Sequence, residues 1–87
     1  MSPEEKLIAR LLRGTADANI GFEDLRQLLR QLGFDERIRG SHHMFRKAGV
    51  QELINLQREG SKAKIYQVRQ VRAILLKYRL AGEGEKA

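Results

Sequence analysis

The hydrophobic period of this chain changes at Gly33, and that change restricts the fold more than any other feature. Before it, Phe22, Leu25, Leu28, Leu29 and Leu32 recur at i, i+3, i+6, i+7 and i+10. At about 100° per residue they share one helical face, with Arg26, Gln27, Arg30 and Gln31 outside it. After it, Phe34 to Arg39 alternates, with Phe34, Glu36 and Ile38 on one side, as a strand requires. Gly33 suits the left-handed residue that closes a helix. Ser41 to Lys47 reads as a second strand, Ala48-Gly49 as a turn, and Val50 to Gln57 as a third strand carrying Leu53, Ile54 and Leu56. Connections this short imply antiparallel hairpins.

Helical patterns flank these strands. Ser2-Pro3-Glu4-Glu5 is a helix start: Ser2 can cap, Pro3 suits the first helical position, and Glu5 completes a capping box. Leu7, Ile8, Leu11 and Leu12 then line one face until Gly14, and Thr15 to Gly21 reads as a loop. Arg58 to Lys64 is polar, contains Gly60, and also reads as a loop. A last helix is expected from about Ile65 to Leu80, with Val68, Val71, Ile74, Leu75 and Tyr78 on one arc and Arg69, Arg72 and Arg79 along its edge. The order α-α-β-β-β-α predicts an α+β fold, a small three-stranded antiparallel sheet with helices on one face. With 87 residues, 41% of them hydrophobic, the chain fits one domain with a compact core. That domain is expected over 1–80, with 22–80 as its core and 1–21 as an additional helix and loop. Residues 81–87 are expected to form a flexible tail.

The residue inventory removes several chemistries. Without cysteine there is no disulfide and no thiolate. The two histidines are adjacent, which is not a zinc spacing, and no carboxylate cluster is present to hold another metal, so neither metal nor cofactor is expected. Acidic residues stand where a signal peptide needs basic ones, and the apolar runs are too short for a membrane span; a cytoplasmic protein without a membrane partner is expected. Charge is uneven. Residues 1–36 carry 5 Lys/Arg and 7 Asp/Glu, a net of −2, whereas 37–79 carry 11 Lys/Arg against Glu52 and Glu59, a net of +9. Such a basic body suggests a polyanion-binding surface, although many small basic proteins use their charge only for solubility.

Both histidines lie in Arg39-Gly40-Ser41-His42-His43-Met44-Phe45, and they are the only side chains that titrate near neutral pH when unperturbed. On a strand His43 points with Phe45, and His42 with Met44 and Arg46. Phe45 is the better core residue, so His43 is expected to be partly buried and His42 to face the open side. The plain alternative is two ordinary strand residues on a half-exposed sheet. Gly40 permits positive φ or the close approach of a phosphate, and a simple hairpin turn explains it equally well. Ser41 could donate to a phosphate or complete that turn. Arg37, Arg39, Arg46, Arg69 and Arg72 are further candidates for phosphate contact. Tyr66 could stack on a base or simply pack.

These residues carry a family resemblance. Phe22 to Leu80 resembles the HicA toxins of bacterial type II toxin–antitoxin systems, small mRNA interferases with an α-β-β-β-α fold related to the double-stranded RNA-binding domain. The resemblance rests on a Leu-rich helix ending Leu32-Gly33-Phe34 and on Arg39-Gly40-Ser41-His42-His43-Met44-Phe45. A third strand, a lysine-bearing loop and a basic last helix complete it. It implies an endoribonuclease acting on mRNA, a catalytic histidine within the motif, and a HicB-type antitoxin partner. The family pattern and the strand geometry both favour His42 over His43. By the same likeness, Lys62 and Lys64 stand where double-stranded RNA-binding domains place lysines against phosphate. Two departures stand out. Gln57-Arg58-Glu59-Gly60 occupies the place where members often carry a Pro-His pair or a similar basic loop, and the first helix lies outside the match. The competing expectation is a non-catalytic double-stranded-RNA-binding or interaction module.

Overall fold

Helix α1 spans Pro3–Arg13, a 3-10 turn follows at Asp17–Asn19, and helix α2 spans Phe22–Gln31. Strands β1 (Asp35–Arg39), β2 (His42–Lys47) and β3 (Val50–Leu56) come next, then the short strands β4 (Arg58–Glu59) and β5 (Lys62–Ala63), and finally helix α3 (Ile65–Lys77). The computed structural model describes residues 2–81.

The change of period at Gly33 is a physical break. Gly33 takes φ +99°, its N–H donates to the Arg30 carbonyl, and the Phe34 N–H donates to the Leu29 carbonyl. This pair of bonds satisfies two carbonyls at the end of α2 and redirects the chain into β1. Gly40 and Ser41 then form a two-residue turn between the paired Arg39 and His42. Gly40 has φ +58° and Ser41 a negative φ, the pattern of the tight turns whose twist matches a hairpin.

The sheet is antiparallel with order β1-β2-β3. Its register pairs Glu36 with Phe45, Ile38 with His43, Phe45 with Ile54 and His43 with Leu56. Paired residues share a face, so these side chains point the same way. Phe45, Ile54 and Leu56 are buried there against the helices. The opposite face carries the pairs Arg37 with Met44, Arg39 with His42 and Met44 with Asn55. The core adds Leu25, Leu28 and Leu29 from α2, and Val68, Val71, Ile74 and Leu75 from α3.

Helix α1 belongs to the same core. Its start is the expected capping box: Ser2 Oγ accepts from the Glu5 N–H at 3.1 Å, and the Glu5 carboxylate accepts from the Ser2 N–H at 2.9 Å. Leu7 and Leu11 are buried in the common cluster. From α3, the Arg72 guanidinium donates to both Asp17 carboxylate oxygens, at 2.8 and 3.2 Å, and to the Leu11 carbonyl at 3.2 Å. One side chain thereby ties α1, the 3-10 turn and α3 together.

The 3-10 turn at Asp17–Asn19 falls in a stretch expected as a loop, β1 and β2 each start one residue later than expected, and three further differences have a local cause. The polar stretch expected as a loop holds the β4–β5 hairpin, turning at Gly60 with φ +63°. Its backbone is completed by the segment leading into α2: Ala63 N–H donates to the Ile20 carbonyl and Phe22 N–H to the Ser61 carbonyl, both at 3.0 Å. The third strand stops at Leu56, because the Gln57 N–H turns to the buried Gln67 Oε1 at 3.2 Å. Helix α3 ends at Lys77, where Arg79 adopts φ +56° and the Leu80 N–H closes back on the Leu75 carbonyl at 2.9 Å. The tail expected over 81–87 lies outside the described residues apart from Ala81. Among the described residues no helix is long and apolar enough to cross a membrane.

If α1 is part of the core, Leu11→Ala should lower unfolding stability by about 2–5 kcal/mol, the usual range for a fully buried leucine. Urea denaturation checks this. A change below about 0.5 kcal/mol, typical of surface positions, would show that α1 is only an appendage.

Candidate functional site

Strand β2 sends its two histidines to opposite faces. His42 is exposed on the open face, opposite Arg39 on β1, and its Nδ1 lies 3.3 Å from Asn55 Oδ1. The neighbouring basic side chains Arg37, Arg39 and Arg46 are exposed as well. His43 points toward the helices, and its side chain is 14% exposed. Its Nδ1 lies 2.8 Å from Glu36 Oε2, and its ring meets Phe22 edge-on, with centroids 4.9 Å apart at 75°.

Glu36 is the unexpected member of this group. It occupies the core-facing row of β1, opposite Phe45, and its side chain is 7% exposed. Burial works against its charge. Hydrogen bonds from Arg26 Nε on α2 and from His43 outweigh that penalty and hold its carboxyl below the usual value. An ionised carboxylate can only accept, so the His43 proton on this side is on Nδ1, and in the neutral ring Nε2 is the bare nitrogen. Nε2 makes no hydrogen bond, and no unpartnered side-chain nitrogen or oxygen is buried among the described residues; Nε2 therefore reaches solvent.

The chain of charges continues outward. Arg26 Nη1 also donates to Glu23 Oε1 at 3.0 Å, and Arg58 Nη2 on β4 donates to Glu23 Oε2 at 2.6 Å. The Arg58 guanidinium lies over the Phe22 ring, 4.6 Å from its centroid. Arg58 and His43 thus contact one aromatic ring, from β4 and β2. On the other side of the turn, Gln57 Nε2 donates to Ser41 Oγ at 3.2 Å and ties the Gly40–Ser41 turn to the end of β3.

The basic residues read from the sequence do not form one patch. Arg39, Gly40, Ser41, His42 and Arg46 cluster on the turn and open face, and a Cβ at Gly40 would meet nothing within 4 Å. Lys62 is exposed on β5 and Lys64 precedes α3. Arg69 and Arg72 face Asp17 on the 3-10 turn. Arg72 is held there with 21% of its side chain exposed, so a phosphate would have to displace a bidentate carboxylate; Arg69 is 3.8 Å from the same group and more open. Tyr66 is exposed on α3. A groove of about 520 Å³ between α1 and α2, lined by Ser2, Lys6, Arg10, Asp24 and Gln27, contains neither histidine. Glu36, Arg26 and Arg58 are the site residues that sequence reasoning misses. The available signal is a carboxylate in the otherwise apolar row Phe34, Glu36, Ile38.

Comparison with protein-family models, with curated proteins and with solved structures finds no match. The functional reading therefore rests on the residues and their geometry.

Four carboxyls are held below their ordinary values: Glu36 as described, Glu5 through its hydrogen bonds with Ser2, Asp17 through its hydrogen bond from Arg72, and Glu52 at about 2 through Lys77 and Tyr78. A carboxyl whose folded value is depressed stabilises the fold when ionised, and that contribution is lost as pH falls through the folded value. Stability should therefore hold down to the unfolded carboxyl range, near pH ~4, and fall as pH drops toward about 2, the Glu52 value. Thermal unfolding between neutral pH and pH ~2 measures this; an unchanged midpoint across that range contradicts the ion pairing.

Proposed function

We propose that this chain is a metal-independent endoribonuclease acting on mRNA, the toxin half of a type II toxin–antitoxin pair. The observation that carries the reading is an imidazole on β2 with exposed arginines nearby, Arg37 and Arg39 on β1 and Arg46 on β2: each β2 histidine has Nδ1 in a hydrogen bond and no partner on Nε2. RNA supplies its own nucleophile, so one such base suffices. The imidazole takes the 2′-hydroxyl proton, the 2′-oxygen attacks phosphorus, and the bond from phosphorus to the 5′-oxygen breaks. The products are a 2′,3′-cyclic phosphate and a 5′-hydroxyl, whose proton comes from water, and the imidazolium returns its proton to solvent. Arginine and lysine side chains steady the charge on the phosphorane.

Strand alternation adds a constraint. Neighbouring residues of a strand point to opposite faces, so His42 and His43 cannot serve as acid and base on one phosphate. One histidine works alone. His42 has the more open position and the family pattern in its favour, and His43 has the carboxylate partner.

The mRNA substrate and the HicB-type antitoxin follow from the likeness of Arg39 to Phe45 to the HicA motif, supported by the three-stranded antiparallel sheet set between α2 and α3. Such a toxin acts in the cytoplasm, where its substrate is. The antitoxin would cover the active histidine and its basic rim.

Incubating the purified protein with RNA in EDTA tests the reading. Cleavage with cyclic-phosphate ends is expected, and either His42→Ala or His43→Ala should abolish it, and growth inhibition with it, at unchanged RNA affinity. Cleavage that survives both substitutions refutes the enzymatic reading. Salt-dependent binding without cleavage by the wild type would identify an RNA-binding module instead.

A further inference from the structure

Taking the endoribonuclease reading as its basis, we infer that Glu36 is a positioning residue of the cleavage site: it orients His43 so that Nε2 faces the substrate. Glu36 stands in the core-facing row of β1. Register places it opposite Phe45 on the core side of an edge strand, a position that alternation assigns to an apolar residue. Stability alone does not account for it there. Replacing a buried set of charges by apolar side chains is often neutral or stabilising. An aliphatic residue at 36, with apolar partners in place of Arg26 and His43, would pack the same layer.

The charged set does one thing that an apolar set cannot. Glu36 Oε2 lies 2.8 Å from His43 Nδ1, which fixes the tautomer. The edge of Phe22, at 4.9 Å and 75°, fixes the plane of the ring. Most of the His43 side chain is covered, while Nε2 has no hydrogen-bond partner and is not sealed from solvent. A ring with one nitrogen tied to a carboxylate, its plane set and its other nitrogen bare is the arrangement a general base needs. His42 has no such support: its Nδ1 partner is a neutral amide at 3.3 Å, and the ring is exposed.

Arg26 is the second layer. It donates to Glu36 from α2 and keeps that carboxylate ionised, so that Glu36 remains an acceptor for the imidazole. Arg26 is steadied by Glu23, which also holds Arg58 beside the Phe22 ring. The groups around His43 are therefore Glu36 on β1, Phe22, Glu23 and Arg26 on α2, and Arg58 on β4. The chemistry assigned to Glu36 involves no proton transfer to it: it holds the ring and stabilises the imidazolium that forms when the 2′-hydroxyl gives up its proton.

Steady-state kinetics on a defined RNA in EDTA test this with wild type, Glu36→Gln, His43→Ala and the double variant. Glu36→Gln should lower kcat on the order of 10²-fold, the scale of a general-base contribution, with KM changed less than about twofold. The double variant should be no slower than His43→Ala, because Glu36 acts through that ring. A Glu36→Gln enzyme with kcat within about threefold of wild type, or losses that add in full in the double variant, overturns the inference. Should Glu36→Gln fail to fold, Glu36→Asp replaces it. That variant keeps a charge for Arg26 but withdraws the oxygen from the imidazole by one methylene. The same loss of kcat at constant KM supports the role, and full kcat overturns it. A wild type that does not cleave RNA removes the endoribonuclease reading itself, whereas a wild type that cleaves while Glu36→Gln keeps its kcat overturns this inference alone.

Discussion

The largely covered carboxylate of Glu36 is the constraint on which the site depends. An ionised group this largely covered needs hydrogen-bond donors, and the two bonds it takes, both on Oε2, come from α2 and β2. Arg26 and His43 are therefore not free to choose their rotamers. The ring orientation of His43, the position of Phe22 against it and the tether from Glu23 to Arg58 all follow from keeping that charge satisfied. The helix layer and the sheet are joined here by polar chemistry, where Phe45, Ile54 and Leu56 join them elsewhere by apolar packing.

Local features of the sequence carry much of the fold. The switch from helical period to alternation at Gly33, the Ser2–Glu5 capping box and the glycines at the turns after β1 and β2 each act within a few residues, and each appears where the pattern puts it. What is not legible depends on side chains meeting over long separations. Arg72 reaching Asp17, Gln67 receiving the Gln57 N–H, and the β4–β5 hairpin leaning on Ile20 and Ser61 leave no periodic trace. The hairpin is hidden for a further reason: its strands are two residues long, and only Ala63 among them is buried.

The candidate site divides in the same way. Histidine stands out by residue type, and alternation separates His42 from His43 correctly onto open and covered faces. The partners do not stand out. Glu36 looks like one charged residue among many until its row is compared with Phe34 and Ile38, and Arg58 reads as part of a solvated loop until it lies over Phe22. The uneven charge also has a finer grain than net values suggest. Arg69 and Arg72 are paired with Asp17, while Arg37, Arg39 and Arg46 lie exposed on the open face that carries His42. A polyanion approaching His42 would meet the second group.

The central claim is that an ionised Glu36 holds the His43 ring by Nδ1 and leaves Nε2 bare. Two-bond proton–nitrogen correlation spectra of the ¹⁵N-labelled protein in alkaline buffer observe this directly. The account predicts that His43 carries its proton on Nδ1 while Nε2 shows the shift of an unprotonated nitrogen. A His43 ring protonated on Nε2, with Nδ1 bare, would contradict it.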